Sequence, residues 1–155
     1  MTPLAQDVRI EHATSEEELG ATYEVMRQLR PHLDQREYVT LVQSLARTEG
    51  LHVLALVADS GVRAVATYRF IRMLYCDRIL CIDDLVTDVS SRSRGYGSAL
   101  LGTLKQIAIE HDCREIQLIS RVTREAAHRF YFREGFGIEC FHFRLPVTSP
   151  PTGSE

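Results

Sequence analysis

The chain has no tryptophan and only five prolines, and its four cysteines form neither a C-x-x-C pair nor a zinc spacing with paired histidines. No metal site or disulfide framework is implied, and Cys76, Cys81, Cys113 and Cys140, on apolar or strand-like stretches, are expected as buried reduced thiols. No apolar run approaches the length that spans a bilayer, and Met1 to Asp7 lack the basic-then-apolar order of a leader. A cytoplasmic protein with no membrane partner is expected. An excess of one charge is missing too: 18 basic residues against 21 acidic ones leave a formal net charge of -3. That offers no strong field to DNA or RNA, so no nucleic acid partner is expected, although a local basic patch remains compatible with it. No segment repeats. What is present is 155 residues, 45% of them hydrophobic, enough for one packed core. Residues 1–145 are expected to form a single domain, with 146–155, rich in Pro, Ser, Thr and Gly, as a loose tail.

The most telling stretch is Arg92-Ser93-Arg94-Gly95-Tyr96-Gly97-Ser98, between a strand-like run ending near Thr87 and an apolar helical run beginning near Ala99. Glycines allow a tight turn there, and the first N–H groups of the following helix point unpaired at whatever lies in front of them, which suits a phosphate. A nucleotide-triphosphatase loop needs Lys-Ser or Lys-Thr after its last glycine, and Ser98-Ala99 stands there instead. A dinucleotide fingerprint needs a third small residue where Leu100 stands.

The elements follow from periodicity and punctuation. A strand at Val8–His12 precedes a capping box read as Thr14 with Glu17, then a helix with Leu19, Tyr23 and Met26 on one face, stopped by Pro31. Asp34 opens a second helix, with Tyr38, Leu41, Val42 and Leu45 at i, i+3, i+4 and i+7, up to Gly50. Leu51–Val57 and Val62–Ile71 around Asp59-Ser60-Gly61 read as a hairpin, and Ile79–Thr87 as another strand. The helix after the glycine loop and the strand Ile116–Ile119 imply a parallel crossover. Thr123 is read as the cap of a last helix ending at Gly135, and Ile138–Leu145 as a strand closing the sheet. This predicts an α/β (α+β) fold: a mixed, mostly antiparallel sheet flanked by helices on both faces, with a central βαβ unit.

Two motifs carry a resemblance. Arg92-x-x-Gly95-x-Gly97 resembles the pyrophosphate loop of the GCN5-related N-acetyltransferases (GNAT), and Ala127, Tyr131, Gly135 and Phe136 match that superfamily's Asn-x-x-Ala-x-x-x-Tyr-x-x-x-Gly-Phe pattern. Arg124 stands where the pattern has asparagine, and could reach a phosphate instead of the pantetheine arm. The resemblance implies an acetyl-CoA-dependent N-acetyltransferase that transfers the acetyl group to a primary amine of a small molecule or peptide by direct attack in a ternary complex. A homodimer is compatible with it. It implies that Arg92, Ser93, Arg94, Gly95, Tyr96, Gly97 and Ser98 hold the cosubstrate's pyrophosphate. Leu85, Val86 and Thr87 lie on the strand that takes up the pantetheine, with Leu85 and Thr87 offering backbone groups to its amides. Tyr131 would protonate the departing thiolate, with Ser120 and Thr123 as other hydroxyl candidates.

Asp83 and Asp84 interrupt an apolar strand, a costly arrangement unless they are paired or face water. Strand alternation sends them to opposite sides, so they are not expected to enter one cleft together. By resemblance to the Glu-Asp pair of diamine acetyltransferases, Asp83 matches the general base, acting through water; Asp84 and His142 are alternatives, and His128 is expected to be structural. The segment from Gln28 to Tyr38 should wall the acceptor pocket but carries no motif. A non-catalytic acyl-CoA sensor of the same fold, or transfer of a longer acyl group, would preserve the glycine loop.

Overall fold

The computed structural model describes residues 7–148. Met1–Gln6, and residues 149–155 of the expected tail, lie outside the described residues. The chain divides into two compact units, Met1–Leu118 and Ile119–Glu155.

The first unit holds a five-stranded sheet in chain order: β1 (Arg9–His12), β2 (His52–Ala58), β3 (Gly61–Met73), β4 (Asp77–Thr87) and β5 (Glu115–Leu118). Neighbours are antiparallel except β4 and β5, which are parallel and joined through α3 (Tyr96–Glu110). The mixed, mostly antiparallel sheet with its βαβ unit is as the sequence predicts. The β2–β3 turn works because Asp59 and Ser60 both adopt positive φ, 50° and 63°, the backbone that a tight hairpin with right-handed strand twist requires.

Helices α1 (Glu16–Met26) and α2 (Gln35–Glu49) cover one sheet face. Leu19, Val25 and Met26 of α1 and Tyr38, Val39 and Val42 of α2 pack with Val53, Val65 and Val86 of the strands. By strand alternation Leu54, Leu56, Ala64, Ala66 and Leu80 point the other way, where the fully buried Leu100, Leu101 and Leu104 of α3 close a second core layer. Truncating one such leucine to alanine costs about 2–5 kcal/mol.

Both helix starts use a capping box, and one differs from expectation. The α1 N-cap is Ser15, not Thr14: its hydroxyl accepts from the Glu18 N–H at 3.1 Å, and the Glu18 carboxylate accepts from the N–H groups of Thr14 and Ser15. One glutamate thus satisfies two amides ahead of the helix, a gain Glu17 does not offer. Asp34 caps α2 with Glu37, as expected, and Gly50 ends it in the left-handed region at φ 68°. Leu41, expected in the core, is 44% exposed, whereas Val39 is buried.

In the second unit, α4 (Glu125–Arg133) begins at Arg124, and Thr123 makes no capping bond. The helix ends in a Schellman motif: the Phe136 N–H donates to the Tyr131 carbonyl at 3.0 Å and the Gly135 N–H to Phe132 at 3.1 Å, with Gly135 at φ 93°. The rings of Tyr131 and Phe136 meet at 5.7 Å, the apolar contact that accompanies this stop. Beyond it the expected strand Ile138–Leu145 does not form; Ile138, Phe141, Phe143 and Leu145 are all exposed, and no described strand pairs with them. Alternation of apolar residues specifies a face, but a ladder also needs a partner edge. His142 accordingly lies on no strand, and Cys140 is exposed, contrary to its expected burial. Cys76 is buried, and Cys81 and Cys113 are half-buried free thiols.

Candidate active site

β4 feeds the site, and its hydrogen bonding is interrupted on both sides. Toward β5 it pairs only from Ile79 to Ile82, opposite Glu115 to Leu118. From Asp83 to Thr87 its outer edge has no strand partner among the described residues, which leaves backbone donors and acceptors facing outward. Leu85, Val86 and Thr87 sit there. Toward β3 the register slips between Thr67 and Tyr68: Thr67 pairs with Asp84 and Tyr68 with Ile82, so Asp83 is the extra residue of a β-bulge.

The bulge overturns the expectation that the two carboxylates face opposite sides, although only Asp84 lines the cleft between α1, α2 and the sheet. Asp84 receives a hydrogen bond from the Thr67 hydroxyl, and Asp83 is held by Arg69 through Nε at 2.7 Å and Nη2 at 2.8 Å. Thr67 and Arg69 are two residues apart on β3 and share the face that carries Val65 under α1 and α2. The extra residue breaks the alternation of period two and turns both acids to one side. Arg30, from the turn after α1, adds a third contact, Nε to Asp84 at 2.7 Å.

Asp84 and Thr67 open onto a cleft of about 260 Å³ between α1, α2 and the sheet. Its walls are Met26, Leu33, Leu41, Val42, Leu45 and Leu51, with Arg30, His32 and Tyr38 as the remaining polar side chains. Four of these come from the Gln28–Tyr38 segment, in which no motif was recognisable. The Tyr38 hydroxyl shares a 2.7 Å hydrogen bond with Thr22, and burial pushes its phenol above the ordinary value; the Thr22 bond opposes this and the Asp84 charge adds to it. Behind Asp83, burial also raises the Cys81 thiol, which keeps it protonated and inert as a nucleophile.

After β4, Asp88 caps a short 3-10 turn, Val89–Ser91. Gln28 ties this turn to α1, donating to Asp88 at 3.0 Å and accepting from the Val89 N–H at 3.0 Å. The chain then curls through Ser93 (φ 66°) and Gly95 (φ 81°) into α3. No side chain caps the α3 start, and its first turn holds no acidic residue. The helix therefore presents the partial positive charge of its N-terminus without internal neutralisation. Arg92, Ser93, Arg94 and Gly95 are exposed, Tyr96 is buried as an anchor, and Gly97 and Ser98 are half-buried. Arg94 lies 3.5 Å from Asp59, while Arg92 forms no ion pair with a described residue. An anion with two or more phosphates suits such a loop.

In the second unit, burial pushes the Tyr131 phenol above its ordinary value, with the Arg124 charge pulling the other way. Its hydroxyl forms no hydrogen bond with a described residue, which leaves it able to donate to a bound group. His128 Nε2 meets the Ser120 hydroxyl at 3.1 Å, which accounts for both as a structural pair, and Thr123 is exposed.

The Acetyltransferase (GNAT) family model matches residues 17–137, which include the cleft helices, the bulge, the glycine loop and α4. This chain belongs to the GNAT acetyltransferase family. An uncharacterized N-acetyltransferase of Bacillus subtilis (strain 168), YhdJ, is 33% identical to this GNAT protein over 141 residues, 90% of this chain and 99% of that one. Among solved structures, the aminoglycoside N-acetyltransferase AAC(6')-Iy in complex with CoA superposes with a TM-score of 0.80 at 16% identity, covering 96% of this chain and all of that one. A transcriptional regulator from Bacillus halodurans C-125 gives a TM-score of 0.79 at 19% identity, over 91% of this chain and 100% of its own. At these identities the two solved structures establish the shared GNAT fold. No helix among the described residues is long and apolar enough to cross a membrane.

Proposed function

We propose that this GNAT protein is an acetyl-CoA-dependent N-acetyltransferase acting on a primary amine of a small molecule or peptide, with residues 1–145 as its catalytic domain. The observation that carries the reading is the β4 edge from Asp83 to Thr87, without a strand partner among the described residues, followed by an uncapped, acid-free helix start. A pantetheine arm, with its two amides, could add to such an edge as a short strand, while Arg92 to Ser98 take the pyrophosphate. Arg124, half-buried at the head of α4, is proposed as a further phosphate contact.

In this reading the acceptor enters the α1–α2 cleft as an ammonium ion and gives up a proton to Asp84, directly or through one water. Both acids are held by an arginine, but Asp84 lines the cleft and Asp83 does not, so the proposal exchanges the roles expected from the resemblance. The neutral nitrogen attacks the thioester carbonyl, backbone N–H groups at the bulge stabilise the developing oxyanion, and the C–S bond breaks as Tyr131 protonates the thiolate. The second proton of the attacking nitrogen passes through water to restore the Tyr131 phenol. The role of Tyr131 rests on its motif register and its unengaged hydroxyl. Release of free CoA thiol from acetyl-CoA in the presence of a panel of amines tests the reading. Tight acetyl-CoA binding with no amine-dependent release would favour the acyl-CoA sensor, and faster turnover of longer acyl-CoA esters would change the donor.

A further inference from the structure

The cleft beside Asp84 has a lopsided chemistry that selects among amines. Six of its eleven lining side chains are aliphatic or thioether. Of the five polar ones, Thr67 and Arg30 are engaged with Asp84 and Tyr38 with Thr22 behind the wall, which leaves the exposed His32 and the remaining acceptor sites of Asp84 for a ligand. A ligand with many hydroxyl or amino groups would find few partners there, and each unmatched polar group would forfeit its hydration. One carboxylate remains that can accept from a cation, since arginine and threonine do not exhaust its four lone-pair sites. Leu41, on the α2 face at the cleft, is 44% exposed although its helical position falls in the apolar stripe. The cleft volume of about 260 Å³ lies below the ~300 Å³ where drug-sized pockets begin, which favours a compact ligand.

Building on the transferase reading, we propose that the acceptor is a compact monoamine with an apolar body, its ammonium at Asp84 and its hydrocarbon against Leu41, Val42 and Leu45. Polyamines and amino sugars are disfavoured, because beyond Asp84 and His32 the cleft offers their additional polar groups few open partners. This separates the chain in substrate class from the aminoglycoside enzyme whose fold it shares.

The experiment compares kcat/KM for 3-methylbutylamine and 2-phenylethylamine with that for spermidine and kanamycin, with acetyl-CoA saturating, in wild type, Leu41→Glu and Leu41→Met. The apolar monoamines are expected to lead by about tenfold or more, and Leu41→Glu to raise their KM by a similar factor, with a smaller rise for Leu41→Met, which keeps the wall apolar. Thermal unfolding checks that each variant is folded, which a surface position on a helix favours. A lead for spermidine or kanamycin, or an unchanged KM in folded Leu41→Glu, overturns the proposal. Calorimetric titration of 2-phenylethylamine reads the cleft independently of turnover. Binding to wild type that is weakened in Leu41→Glu supports the proposal even if no amine is acetylated, in which case the transferase reading alone has failed; absence of binding together with absence of turnover rejects the cleft assignment as well.

Discussion

The glycine loop and the β4 bulge lie within a dozen residues of each other and are built on opposite principles. The loop is backbone chemistry: left-handed turns at Ser93 and Gly95, an uncapped helix start and exposed arginines. The bulge is side-chain chemistry: two carboxylates, two arginines and a threonine interlocked over an apolar cleft. Anion recognition needs exposed amides in a fixed curl, whereas proton transfer needs an acid held partly out of water beside its substrate. In the proposed reading, binding the acyl donor and choosing the amine therefore fall to separate, independently breakable parts of the chain.

The largest expected effect breaks the loop alone. Gly97→Glu places a carboxylate among the amides meant for phosphate, and like-charge contact should weaken acetyl-CoA binding about a hundredfold or more while the cleft still binds its amine. Isothermal calorimetry with both ligands checks this; unchanged acetyl-CoA affinity in folded protein would remove the loop from the account. Next, Tyr131→Phe should reduce kcat by about 10²–10⁴-fold with acetyl-CoA affinity nearly intact. Because phenylalanine keeps the ring contact with Phe136, the thermal transition should not move, and a large loss of stability would reassign Tyr131 to structure.

Gly135→Ala sharpens the same point from the other side. At φ 93° with no heavy atom near an added Cβ, the cost is backbone strain alone, about 1–2 kcal/mol, read in denaturant unfolding. The smallest effect concerns the sheet face opposite the acids, where His52 stacks on Tyr68 at 4.9 Å, near His12 and His111. Burial, then the charges of His12 and His111, lower its proton affinity below the ordinary value of 6.5. The unfolded chain therefore takes up a proton first. The contribution of His52 to stability is complete above about pH 6.5 and is lost as pH falls toward the folded-state value. Melting temperatures of wild type and His52→Phe should converge or cross between about pH 8 and pH 5, with the variant less sensitive to acid.

The loop could be read from the chain because glycine and helix-start signals are local. The α4 motif was legible for a double reason: Tyr131, Gly135 and Phe136 occupy C3, C′ and C″ of a Schellman stop, so their register serves the helix end as well as any chemistry. The bulge was not legible, since it exists only in the pairing of β4 with β3, and alternation applied to β4 alone separates Asp83 from Asp84. Arg30, Thr67 and Arg69 were missed for the same reason: they lie fourteen or more residues away from the acids they hold. The strand expected at Ile138–Leu145 failed in the opposite sense, with a local pattern present and no tertiary partner among the described residues.

The claim on which the account turns is that the bulge presents Asp84, not Asp83, to the amine. Parallel pH profiles of kcat/KM for Asp84→Asn and Asp83→Asn, with one accepted amine and saturating acetyl-CoA, test it. Asn keeps the size and hydrogen bonding of the side chain and removes its basicity. The account predicts that Asp84→Asn loses about 10²-fold or more at low pH, where few amine molecules are neutral, and recovers in part as pH rises, while Asp83→Asn keeps the wild-type profile shape. A pH-dependent loss confined to Asp83→Asn, with Asp84→Asn behaving as wild type, would contradict it.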